Sequence, residues 1–183
     1  MRTFIKVFLL LVLTYSCEEE FDPFLITSNS VGVLTDSTEV KDLESLFVND
    51  SIAMYIGGDE FTGNINDIEI YEKGGQKLLV LTPFETLDST STIKTVRIID
   101  LRYKTLKGIN KNSSYKDLGD NYSISSIQNT LKNLIISVDE INVYFTMDKT
   151  ELPPNMRFDM NLKIDPIQIP DQARIKDFYI QWY

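Results

Sequence analysis

The sequence predicts an α+β fold made of two similar helix-plus-antiparallel-strand units in tandem. A short stretch with helical spacing of apolar residues precedes a run of alternating β-type segments. The same order of signals returns further along the chain, as an internal duplication would require. Tight-turn residues at Gly74-Gly75 and Asp139-Glu140 divide the strand segments in a way that favours antiparallel hairpins.

Residues 1–16 carry Arg2 and Lys6, the apolar run Val7 to Leu13, and then small or polar residues up to Cys17. That is the layout of a signal peptide. A spanning helix needs ~20 apolar residues, and Glu18-Glu19-Glu20 ends this run well short of that. Leu13-Thr14-Tyr15-Ser16-Cys17 resembles a relaxed bacterial lipobox, and the acids after it resemble the export signals of Bacteroidota surface lipoproteins. The resemblance implies lipidation of Cys17, a membrane attachment through that lipid, and a place in the cell envelope, at the outer membrane on its periplasmic or its outer side. Cys17 is the sole cysteine, so no disulfide within the chain, zinc ribbon or CxxC redox pair is available.

Residues 17–30 read as a lipidated acidic tether, with a short strand over Phe24–Thr27. About 165 residues follow the signal segment, enough for one domain or two small halves. The first unit is expected over residues 31–100 and the second over 101–183. In the first, Val40, Leu43, Leu46 and Phe47 share one helical face, with Thr38 or Asp36 as its cap. A loop joins a strand ending at Ile56 to one starting near Ile65, and Ile68, Ile70, Leu78 and Val80 alternate around the paired glycines. Ile93–Asp100 closes the unit. In the second, a shorter helix follows Asn112-Ser113, with Gly119 as its stop. Strands are expected over Tyr122–Ile127, Leu134–Val138, Ile141–Met147, Phe158–Ile164 and Ile175–Trp182, the last docking the C-terminal residues on the body.

Two sequence matches support the duplication. Gly32, Ser37-Thr38 and Lys41-Asp42-Leu43 are echoed by Gly108, Ser113-Ser114 and Lys116-Asp117-Leu118, the triplets lying 75 positions apart. Asp67-Ile68-Glu69-Ile70-Tyr71 is echoed by Glu140-Ile141-Asn142-Val143-Tyr144, 73 positions on. The layout resembles the tandem units of β-lactamase inhibitory protein and of small outer-membrane-assembly lipoproteins. That resemblance implies a scaffold that binds a protein partner across an exposed sheet face, and it carries over no site residue.

Gly57-Gly58-Asp59-Glu60-Phe61 matches the signature string of diguanylate cyclases. That family places a second acidic metal ligand upstream beside an Asn-Asp stretch, and Glu20 to Phe24 supplies neither. The string reads instead as a solvated loop. Asp59, Glu60 and Asp67 are the calcium candidates, although Phe61 stands where a helix-loop-helix calcium loop needs an oxygen.

The chain contains no histidine, which removes the side chain best suited to proton transfer near neutral pH and the commonest zinc ligand. Neither a catalytic set nor a cofactor motif emerges. The net charge of −9, with basic residues scattered, offers no handle for nucleic acid. Asp36-Ser37-Thr38, Asp50-Ser51-Ile52 and Asp88-Ser89-Thr90 resemble O-glycosylation triplets of Bacteroidota envelope proteins, with Ser37, Ser51 and Ser89 as acceptors. Tyr103, Tyr122, Tyr144, Tyr179, Trp182 and Tyr183 are candidate anchors for a partner or a sugar. The expectation is a non-catalytic envelope lipoprotein with an envelope protein as partner. The alternatives are a glycan-binding accessory lipoprotein, which needs aromatics aligned on one face, and a small carboxylate-dependent hydrolase, which needs two acids converging in a pocket.

Overall fold

A computed structural model describes residues 21–54 and 67–183. The chain is an α+β protein in which sheet dominates and the helices are short. It opens with β1 (Leu25–Ile26), β2 (Ser30–Val31) and β3 (Leu34–Thr35), followed by a 3₁₀ turn at Val40–Asp42 that runs into α1 (Leu43–Leu46). β4 (Ser51–Met54), β5 (Ile68–Tyr71), β6 (Lys77–Pro83) and β7 (Ile93–Ile98) follow, then β8 (Lys104–Thr105) and α2 (Tyr115–Asn121). β9 (Ser126–Asn129), β10 (Asn133–Val138), β11 (Val143–Asp148) and β12 (Asp177–Gln181) complete it.

The large sheet has the order β4-β5-β6-β7-β12-β11-β10-β9, and all of its pairings are antiparallel. Two meanders therefore meet through their last strands. A small sheet, β3-β2-β1-β8, joins residues from before α1 to residues from before α2, with β1 and β8 parallel. The strand anticipated over Phe24–Thr27 forms as β1, and Ile26 is buried, so the stretch assigned to a tether is already part of the body from Leu25 onward.

One set of contacts occurs twice. Ahead of α1, the Val40 N–H donates to Ser91 O (3.0 Å), the Lys41 N–H to Ser89 O (2.8 Å), and the Ile93 N–H to Thr38 O (3.2 Å). Ahead of α2, the Tyr115 N–H donates to Ala173 O (2.8 Å), the Lys116 N–H to Asp171 O (3.0 Å), and the Ile175 N–H to Ser113 O (3.3 Å). Isolated bridges Glu39–Thr92 and Ser114–Arg174 occupy the same places. Leu43 and Leu118 are both fully buried, and each accepts the N–H of a buried aromatic cap residue, Phe47 or Tyr122, at 2.9 Å. In the seam between β7 and β12, Arg97 faces Tyr179, flanked by Ile98–Phe178 and Val96–Ile180.

Several sequence expectations are corrected. The Glu140–Tyr144 segment is not the counterpart of Asp67–Tyr71. Ile68 pairs with Leu81 in β6, whereas the residue that pairs with Phe145 of β11 is Ile136 of β10, so the match was displaced by one strand. Neither Asp36 nor Thr38 caps the first helix, because the helix enters through a 3₁₀ turn from Glu39 and the Thr38 hydroxyl is engaged by the Thr35 N–H (2.9 Å). Gly119 lies inside α2, which runs on to Asn121. Tyr122 caps that helix, so the following strand starts only at Ser126. Phe158–Ile164 is not a strand. It belongs to an irregular connection in which Phe158 is exposed and Ile164 buried.

Candidate functional site

Strand alternation gives the large sheet two unlike faces. Ile68, Ile70, Leu79, Leu81, Val96, Ile98, Phe178, Ile180, Phe145 and Ile136 point inward and are at most 4% exposed. Their neighbours point the other way, as a period of two requires. One outward row runs through all eight strands in direct register: Ala53, Glu69, Val80, Arg97, Tyr179, Tyr144, Ser137 and Ser126. With strands ~4.8 Å apart, that row is about 34 Å long.

The centre of the row is a stack. Tyr144 lies flat against Tyr179 with ring centroids 4.7 Å apart and an interplanar angle of 8°. The Arg97 guanidinium sits 5.9 Å from the Tyr179 ring centroid on the side away from Tyr144's strand. Asp177 fixes that guanidinium through a 2.7 Å hydrogen bond to Oδ1, and its Oδ2 accepts from the Thr146 hydroxyl at 3.1 Å. Burial works most strongly against the Arg97 charge, but the Asp177 contact together with Tyr179 and Asp67 outweighs it and raises the pKa. Burial, followed by the neighbouring Tyr179, pushes the Tyr144 phenol up to about 12, so it stays a neutral donor across the physiological range. Further along the row, Glu69 receives hydrogen bonds from the Tyr71 hydroxyl and from Lys77 Nζ (2.6 Å).

Beside the stack, at the β10–β11 side of the open face, lies a groove of about 610 Å³. Gln128, Ser137, Asp139, Tyr144 and Gln181 supply most of its polar lining. Asp139 is the one acidic side chain in its lining, which also includes Asn142 and Tyr183 and holds no lysine or arginine. The carboxylate pair required of a hydrolase is therefore not assembled in this groove.

Of the sequence-derived site residues, Met1–Ser16, Cys17, the Gly57–Phe61 string and the calcium candidates Asp59 and Glu60 lie outside the described residues. Asp67, the third calcium candidate, accepts a hydrogen bond from the Thr82 hydroxyl at 2.7 Å. Among the described residues, no group of three or more acids forms a metal-binding cluster. No helix among them is long and apolar enough to cross a membrane. Ser37, Ser51 and Ser89 are all exposed, although the Ser37 hydroxyl is within 3.1 Å of Thr35 Oγ1. The six aromatics divide sharply. Tyr103, Tyr122 and Trp182 are buried, Tyr144 and Tyr179 form the stack, and Tyr183 is exposed. Trp182 ties the chain after β12 to the β1–β2 turn, its indole N–H donating to Ser28 O at 3.1 Å.

Arg97, Asp177, Gln128, Ser137 and Gln181 were not singled out from the sequence. The signal was present in the polar positions alternating with apolar ones in β7, β9, β10 and β12. Knowing which of them share a row requires the cross-strand register.

The class of protein so defined is an α+β protein whose eight-stranded antiparallel sheet has one buried face and one polar, tyrosine-bearing face. Among solved structures, the chain is similar to the uncharacterized protein yfeY from Escherichia coli, with a TM-score of 0.53 and 13% sequence identity over 86% of this chain and 99% of that one. At that identity the likeness concerns the fold. No protein-family model matches the chain, and no curated protein is similar to it.

Proposed function

We propose that this chain is a non-catalytic lipoprotein of the cell envelope, anchored through a lipid on Cys17, whose open sheet face holds a protein partner. The observation that carries the reading is the outward row itself, a mostly polar line of side chains with an arginine and stacked tyrosines at its centre. Tyrosine and arginine are the residue types that most often dominate binding energy, and here both are held in place before any partner arrives. The body is a duplicated unit in this reading, supported by the hydrogen bonds repeated ahead of α1 and α2. Duplication would double the width of a four-stranded face and put Arg97 and Tyr179 at its middle. The resemblance in layout to tandem inhibitory and assembly units adds support, as does the signal-peptide pattern ahead of Cys17.

The test is affinity capture of the acylated protein from cross-linked envelopes, alongside a Thr95→Arg variant that obstructs the open face. One stoichiometric partner, lost in the variant, is the expected result. Repeated recovery of none, or recovery unchanged by Thr95→Arg, contradicts the reading. The anchor is checked separately by metabolic labelling with a fatty acid, which Cys17→Ala should abolish.

A further inference from the structure

We propose that the groove beside the tyrosine stack is a binding site for a neutral saccharide. Tyr179 covers one face of the Tyr144 ring. On the other side the residue opposite Tyr144 is Ser137, and beyond it Ser126. These small side chains leave the second ring face open to the groove. An aromatic face held flat by a neighbour suits the apolar C–H face of a pyranose ring.

The polar lining narrows the ligand class. Gln128 and Gln181 each offer a carbonyl and an amide, Ser137 a hydroxyl, and Asp139 a carboxylate acceptor. Such groups pair with the vicinal hydroxyls of a sugar, which donate and accept at once. With no lysine or arginine in the lining, phosphate and carboxylate ligands find no counter-charge. A single carboxylate falls far short of the six to eight oxygens calcium takes. The volume of about 610 Å³ lies within the 300–1,000 Å³ typical of small-ligand sites. A proline-rich peptide would also stack on tyrosine, but it has few donors to use the amides and the carboxylate. This site shares Tyr144 with the partner surface proposed above, but it is tested on the purified protein alone, so the two readings can fail separately.

The experiment is calorimetric titration of the full chain, purified in a sugar-free detergent, with maltohexaose, cellohexaose, xylohexaose and chitohexaose, and with decaproline as the peptide probe. At least one hexasaccharide should bind, and Tyr144→Ala and Gln128→Ala should each weaken it by about tenfold. Gln128 is exposed, so its variant keeps the fold. Should Tyr144→Ala fail to fold, Ser137→Tyr, which fills the space beside the ring, takes its place and should abolish binding. No binding by any hexasaccharide, binding of equal strength in the variants, or binding of decaproline alone overturns the proposal.

Discussion

In the first half of the chain the connection from β6 to β7 spans residues 84–92 and leaves Phe84 and Leu87 exposed, whereas in the second half the connection from β11 to β12 spans residues 149–176 and buries Leu152, Met156, Ile164 and Ile169. The helices differ too. Ser114 caps α2 in a reciprocal box with Asp117, while Glu39 makes no side-chain cap ahead of α1. What the halves share is the hydrogen-bonded frame that fixes each helix to the residues just before the last strand. Surface connections tolerate insertion at a small entropic cost, while a frame residue cannot move without breaking several bonds at once. The shared frame fixes each helix to its sheet, and the unequal connections differ in length and in how much apolar surface they bury.

The largest effects should fall where the halves are most alike. Leu43→Ala and Leu118→Ala each empty a fully buried site and should cost about 2–5 kcal/mol in denaturant unfolding. Closely matched losses sharpen the comparison, and a loss confined to one half breaks it. The glycines behave differently. A Cβ on Gly32 would sit 2.2 Å from Pro23 O at φ +56°, whereas one on Gly108, at φ +81°, meets nothing within 4 Å. Gly108→Ala should therefore cost only the backbone strain of about 1–2 kcal/mol, and Gly32→Ala clearly more, read as the shift in Tm.

Smaller effects test the capping difference. Ser114→Ala should lose about 1 kcal/mol, while Glu39→Ser, which offers α1 the cap it lacks, should gain a few tenths, on the order of 0.3 kcal/mol. The smallest effect concerns pH. Hydrogen bonds from the backbone and hydroxyl of Ser114 lower the Asp117 pKa below its ordinary 3.8. In the first half, burial opposes the Asp100 charge but the Arg102 hydrogen bonds outweigh it, and its pKa is lowered too. A depressed carboxyl contributes stability that is complete above its unfolded value and is lost as pH falls through the folded one. Asp100→Asn and Asp117→Asn should thus each flatten the loss of stability below about pH 4, the buried Asp100 more than the exposed Asp117.

Local signals were legible in the sequence. Gly74 and Gly75 adopt the positive φ angles that made their hairpin readable. The pattern around Asp139-Glu140 likewise gave β10 and β11, with Asn142 taking up the left-handed conformation in their turn. The Lys41 and Lys116 triplets do lie at corresponding places in the frame. The second match failed because alternating isoleucines and valines look alike in every strand of a meander, so the pattern cannot say which strand it belongs to. The seam between β7 and β12 was not legible either, since it pairs residues some eighty positions apart with no turn to announce it. The groove rests on a different long-range contact, the β11–β12 pairing, which sets Tyr179 beside Tyr144 and Gln181 beside Asn142. Phe158–Ile164 misled for the opposite reason: its apolar residues are divided between the core and solvent without strand pairing.

The most direct test of one shared face is native-state hydrogen exchange across the seam. If the two halves form a single sheet, the amides of Val96–Ile98 and Phe178–Ile180 should exchange only through global unfolding, with the same free energy as those in the β5–β6 and β10–β11 ladders. Exchange at the seam through a lower-energy opening, with both flanking ladders still protected, would show two separable bodies and contradict the account.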